Sequence, residues 1–545
     1  MAMNREWLGT LVLGALALVG DASRAAEPRI GKFVAYDAGE FRIVTSRSGD
    51  QARQVIEDLA KFRVTLEKLL NKRATNTAIR TQILIVSGSD WHRYLEPRQN
   101  LAGWFQRADF ANYVTINGDA DRAMAVATLF HEYTHYYLAS QFSGEYPPWF
   151  NEGIAEFMGY TMFDAKGRAI MRLPVFNIYE ARDSDWIPFE RLIKVDHWSP
   201  EYQSHKLNGS FYAQAWLTVH YGMLGNRDFS KKMFAYLAQL NSLQPIDEAA
   251  RNTFGDLAAV DRELRAYSRA KMMSGVITLG DLPAVTLPQP TPVSETDALA
   301  IFINLMLEIR TGADRIRPLV DSLLRKEPNA SRPHILAARL ALATDDNAAF
   351  ERETAAAEAA LVPKDWEQRR ELAAALLESA SNYRGLALNT SAAEKRNLQR
   401  AYQLYADALL ENNEDIELLW GFGTAAAQLG QNMDLAEQAL VAAYKHSPGN
   451  ADIAMSLADV KRAQEDYDAM LVYLEDTERF ANNLGQRKWA TDTLVEMRRY
   501  VVERKRVDEE NRKIDEANRK QQEEYLKAVA EYEKKYGKRK KKTGG

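Results

Sequence analysis

The sequence predicts a two-part chain, a mixed α+β unit followed by an all-α repeat array ending in a charged helix. Three observations predict it. Alternating strand-like and helix-like runs fill residues 30 to 120. After them comes His131-Glu132-Tyr133-Thr134-His135, with Asn151-Glu152-Gly153-Ile154-Ala155-Glu156 beginning sixteen residues beyond His135. From residue 297 the chain is rich in alanine and leucine, with turn marks at Pro328, Pro363, Asn413, Pro448 and Asn483, that is, at intervals of 35, 50, 35 and 35 residues.

Residues 1–25 combine Arg5, an apolar run from Trp7 to Gly20 and a small-residue exit at Ser23-Arg24-Ala25. This is the pattern of a secretory signal cut before Ala26, and the run is short for a membrane span. Export to a bacterial periplasm or the medium is expected. The chain has no cysteine, which excludes disulfides, thiol catalysis, cysteine-ligated zinc and an amino-terminal lipidated cysteine. A formal charge of -5 spread along the chain argues against a nucleic-acid partner.

Lys32–Tyr36 and Phe41–Thr45 read as paired strands around the turn Asp37-Ala38-Gly39-Glu40. Val55, Leu59, Phe62, Leu66 and Leu69 recur at helical spacing, and Thr81–Val86 reads as a buried strand. Gly103–Arg107 and Asn112–Ile116 flank a turn before the two histidines. The segments up to Val86 are scaffold.

Asp121-Arg122 starts a helix whose apolar side is Ala123, Val126, Ala127 and Phe130. On it His131 and His135 stand one turn apart on one face, so both imidazoles can address one metal while Glu132 reaches a water beside it. Leu129, Phe130, Tyr133, Thr134, Tyr136 and Tyr137 carry no charge, as a helix buried behind a metal requires. A catalytic zinc takes three protein ligands and keeps a fourth position open. Glu152 is the natural third, because Tyr146-Pro147-Pro148-Trp149-Phe150 breaks the chain and a second helix from near Trp149 brings its carboxylate back. Glu156, one turn further, is placed to accept a ligand histidine's free ring N–H, fixing its tautomer. A core helix that happens to hold two histidines is the bland alternative.

These two segments resemble the gluzincin metallopeptidases, the thermolysin and aminopeptidase-like clan. Pro148–Glu156 is most similar to the bacterial peptidase-MA-like group within it. The resemblance implies an α+β gluzincin-type metallopeptidase domain over residues 26–274. It also implies zinc on His131, His135 and Glu152, Glu132 as general base, and Asn151 and Glu156 behind the ligands. The implied activity is peptide-bond hydrolysis by a metal-activated water, with a polypeptide substrate paired to the edge strand before the metal helix. Gly103-Trp104-Phe105-Gln106-Arg107 departs from the Gly-x-Met-x-Asn motif of the clan's aminopeptidases, so an endopeptidase is expected.

Gly209–Gly222 reads as a helix with mostly core spacing. Tyr212, near its start, resembles the aminopeptidase tyrosine that stabilises the oxyanion, a task for a phenol or imidazole donor opposite the metal. A packing role for Tyr212 stays open, with His197, His205 and His220 as alternative donors. His220 lies on an apolar face, where a satisfied core histidine is the usual finding.

Pro283, Pro288, Pro290 and Pro292 make residues 275–296 read as an extended linker. Beyond it, Trp420, Gly430, Ala436, Leu440, Ala443 and Pro448 sit close to the tetratricopeptide pattern, with Ala401, Tyr405 and Ala408 at matching places one unit earlier. Residues 297–500 thus resemble a tetratricopeptide-like array of four or five units with an insertion around Tyr383–Asn397, a generic helical bundle being the alternative. Such arrays bind substrate or partner proteins. Residues 501–545 form a charged helical tail without a core face, ending in Lys538-Arg539-Lys540-Lys541-Lys542. A solvated tail is expected there, ahead of contact with an anionic membrane surface. Two functions follow: an exported zinc endopeptidase with a partner-binding repeat domain, and a non-catalytic interaction scaffold of an envelope complex.

Overall fold

The computed structural model describes residues 30–38, 41–71, 81–95, 103–107, 112–141, 146–183, 185–196, 199–203, 208–242, 244–280, 288–309, 311–380, 391–447, 450–481 and 484–537. The expected signal segment, the basic end of the tail, His197 and His205 lie outside the described residues. No helix among the described residues is long and apolar enough to cross a membrane.

Among the described residues nine strands form two sheets: β1 (Phe33–Ala38), β2 (Phe41–Thr45), β3 (Thr81–Val86), β4 (Gly103–Arg107), β5 (Asn112–Asn117), β6 (Thr161–Phe163), β7 (Arg168–Met171), β8 (Gly275–Thr278) and β9 (Thr291–Val293). The larger sheet runs β4-β5-β3-β2-β1-β9, the smaller β6-β7-β8. Strands β2, β3 and β5 are parallel, while β4, β1 and β9 join antiparallel to their neighbours. Parallel strands need cover on both faces, and the residues of β3 show it. Ile83 and Ile85 enter one core with Phe62, Leu129 and Phe130, from the helices Gly49–Leu70 and Arg122–Gln141. Leu84 and Val86 enter a second core with Leu299, Phe302 and Ile303, from the first helix after β9.

That second core corrects the expected linker. Residues 275–296 supply β8 to the small sheet and β9 to the large one, and the next helix starts at Glu295. Pro292 faces Val34 on the outermost strand, where a missing N–H costs no ladder bond that a central strand would need. Pro292 therefore marks an edge strand, Pro283 lies outside the described residues, and the repeat array is seated on the sheet.

The array consists of helix hairpins: Glu295–Glu308 with Ala313–Lys326, Ser331–Ala343 with Asn347–Ala359, Trp366–Ala380 with Ala392–Leu409, Ile416–Leu429 with Met433–His446, and Ala451–Ala463 with Tyr467–Arg479. Each first helix packs on the first helix of the next hairpin as well as on its own partner. This is the stacking of a tetratricopeptide-like solenoid. Gly421 shows how close the helices come, since a Cβ there would lie 2.1 Å from the Tyr405 ring. Of the expected insertion, residues 383–390 lie outside the described residues, and Ser391 opens the helix Ala392–Leu409 with a capping box to Glu394.

A 53-residue helix, Leu484–Tyr536, is the last element among the described residues. Ala490, Leu494 and Val501 are buried in its first part, and Leu494 belongs to the core under Tyr467–Arg479. The remainder is exposed and charged. At its start Arg487 reaches Asp196 of the α+β part at 3.6 Å, so the far end of the solenoid returns toward the residues that flank the site.

Candidate metal centre

The helix Arg122–Gln141 buries Leu129, Phe130, Tyr133, Tyr137 and Leu138, and Phe130 stacks on Phe62 with ring centroids 4.0 Å apart. This packing fixes the helix about its axis and leaves His131, Glu132 and His135 on the half-buried side. The second helix is Pro148–Gly159, with proline in the first turn, where its missing N–H is harmless. It lies tightly against Asn208–His220: a Cβ on Gly153 would fall 2.4 Å from the Ala215 carbonyl oxygen. Glycine between Glu152 and Glu156 is therefore what lets this helix approach its neighbour and face the histidines.

The three expected ligands converge. His131 Nε2 and His135 Nε2 are 3.1 Å apart, and Glu152 Oε2 lies 3.4 Å from the first and 3.3 Å from the second. The far ring nitrogens are held from behind: His131 Nδ1 sits 3.3 Å from Glu156 Oε1, and His135 Nδ1 sits 3.1 Å from Asn151 Oδ1. With both Nδ1 protons directed at these acceptors, the Nε2 lone pairs and the Glu152 carboxylate face one another, and such a set calls for a cation. Among the described residues, this trio is the group of histidines and carboxylates able to hold a metal ion.

The charges of the site shift each of its groups. Burial opposes charge on His131, but hydrogen-bonding Glu152 and Glu156 carry it well above the ordinary histidine value. Burial likewise opposes charge on His135, and the Glu152 carboxylate raises it. Glu152 is held well below the usual carboxylate range: burial pushes it up, and His135 and His131 outweigh burial. Glu132 moves the other way, pushed up by burial against the pull of His131 and His135.

Two residues at the site carried no sequence signal. Asn177, from the helix Val175–Asp183, donates through Nδ2 to Glu156 Oε2 at 2.8 Å, so the carboxylate behind His131 is itself oriented. Tyr202, on the short helix Pro200–Gln203, donates its hydroxyl to Glu152 Oε1 at 2.7 Å. Tyr212 is also brought to the site, but its hydroxyl is hydrogen-bonded to that of Tyr202. Burial, reinforced by the Glu152 charge, pushes both phenols well above the ordinary tyrosine value.

His220 stands apart, buried with Nδ1 2.9 Å from the Tyr267 hydroxyl and Nε2 3.1 Å from the Met273 carbonyl oxygen. It is a satisfied core histidine. Burial lowers it to about 4, so its neutral form contributes stability in full above pH 6.5, and that contribution is lost as pH falls from 6.5 toward 4. The loss amounts to about 3 kcal/mol. Denaturant unfolding at pH 7 and pH 4 is expected to show the parent losing about that much more stability than His220→Gln; equal losses would contradict it.

No family model matches this chain, and no curated protein does. Among solved structures, it is similar to YrrB, described as a TPR protein with an unusual peptide-binding site, at 16% identity and a TM-score of 0.27 over 36% of this chain and 92% of that one. PilF of Pseudomonas aeruginosa follows at 14% identity and TM-score 0.27, over 38% and 91%. Yeast Tom70 matches at 14% identity and TM-score 0.27, over 55% and 62%. Superpositions this loose assign no function; the repeat character of the array rests on its helix stacking.

Proposed function

We propose that this chain is an exported zinc-dependent endopeptidase of gluzincin type, whose repeat array takes up its polypeptide substrate or a partner protein. The observation that carries the proposal is the spacing of the ligand atoms. The separations of 3.3 and 3.4 Å match the edge of a tetrahedron of ligands around zinc, about 3.3–3.4 Å for bonds of about 2.0–2.1 Å, and the histidine pair at 3.1 Å falls a little inside it. His131, His135 and Glu152 would hold the ion, which supplies Lewis acidity and lowers the pKa of water. Glu132, beside them and half-buried, takes the proton of the attacking water and returns it to the leaving amine. Glu156 and Asn151 keep both imidazoles in the tautomer that presents Nε2. Strand β4 stands at the sheet edge, where an extended polypeptide can add as a further strand.

Removing metal with a chelator is expected to end cleavage of an unfolded protein such as casein, and one equivalent of zinc to restore it. Cleavage undiminished by chelation would overturn the proposal. A second reading, a non-catalytic interaction scaffold, is favoured by the solenoid, which accounts for much of the described chain. The presence of Glu132, half-buried beside the trio, speaks against it, since a scaffold has no structural reason to keep a carboxylate at that position.

A further inference from the structure

Glu152 offers two oxygens, and they have different surroundings. Oε2 faces the Nε2 atoms of both histidines, while Oε1 accepts the Tyr202 hydroxyl at 2.7 Å. Tyr202 is in turn engaged by the Tyr212 hydroxyl, and its ring packs against Phe211 and Tyr212 with centroids 5.6 and 6.2 Å away. The short helix carrying Tyr202 is tied down on both sides. Ser199 Oγ donates to Asp196 Oδ1 at 2.7 Å, and Glu201 takes a two-pronged pair from Arg191 at 2.7 Å on each oxygen.

We infer that Tyr202 is a positioning residue for the metal ligand Glu152: its hydroxyl occupies Oε1, so that the carboxylate presents Oε2 alone to a bound ion. A carboxylate free to swing can chelate through both oxygens, which raises the coordination number and closes the position that a hydrolytic site keeps open. A phenol held by a second phenol prevents that swing. Tyr212 thus acts through Tyr202, with its hydroxyl on that of Tyr202 and its ring against the Tyr202 ring. The inference rests on the metal-binding reading of the trio and is independent of what the site hydrolyses.

The test uses the full chain and its Tyr202→Phe and Tyr212→Phe variants, each keeping its ring. Zinc affinity is measured by competition with a chromophoric chelator, and the cobalt(II) derivative is followed by visible absorption. Tyr202→Phe is expected to weaken zinc binding about 10- to 100-fold. Its cobalt spectrum is expected to lose intensity, as a four-coordinate centre gains a fifth oxygen. Tyr212→Phe should change both in the same direction by less, and it keeps the inference testable if Tyr202→Phe fails to fold. Parent affinity and an unchanged cobalt spectrum in a folded Tyr202→Phe variant would overturn the inference while leaving the metal site standing. A parent chain that binds neither ion would overturn the metal reading itself.

Discussion

A chain ending at Val293, with the whole repeat array removed, is expected to be insoluble or to lack fixed tertiary structure. The α+β part on its own would expose the sheet face bearing Phe33, Val44, Leu84 and Val86, together with Trp91, Tyr94 and Leu95, all buried in the core shared with the first hairpin. Uncovering that many large apolar side chains costs on the order of 10 kcal/mol, as much as the whole stability of an ordinary domain. Near-ultraviolet circular dichroism and binding of a hydrophobic dye, compared with the full chain, would show it. A soluble fragment that unfolds cooperatively would contradict it.

That face explains where sequence reading reached and where it stopped. Strand bounds were legible where apolar runs meet turn residues: Phe41–Thr45 follows the turn Asp37–Glu40, and Thr81–Val86 is a short apolar run read as a buried strand. Thr81–Val86 reads as buried, but a strand carries no mark of what buries it, and its second cover arrives more than two hundred residues later. Pro292 was ambiguous for a related reason. Proline suits an extended linker and an edge strand alike, and Val34 opposite Pro292 decides between them.

The centre divides in the same way. His131, His135 and Glu152 were legible because helical geometry fixes which residues share a face, and Glu156 followed from one more turn of the same helix. Tyr202 and Asn177 were not, because their positions depend on how the segments after β7 fold back over the second helix. Tyr212 was found by resemblance, yet the hydroxyl that reaches Glu152 belongs to Tyr202, ten residues earlier. No periodicity links those two positions.

Glu132→Gln is expected to lower peptide hydrolysis by about 10³-fold, within the range that a positioned general base contributes. Glutamine is close to isosteric but cannot accept the proton of the attacking water. The three ligand atoms lie on other residues, and the Nδ1 atoms of His131 and His135 are held by Glu156 and Asn151. Metal binding should therefore survive the change, which separates loss of chemistry from loss of the site.

The most direct measurement is thus metal content and casein cleavage, side by side, on the parent chain from Ala26 and on Glu132→Gln. About one zinc per chain in both, with cleavage by the parent alone, is the predicted result. Zinc absent from both after supplementation, or equal cleavage by both, would contradict the assignment of a hydrolytic metal centre.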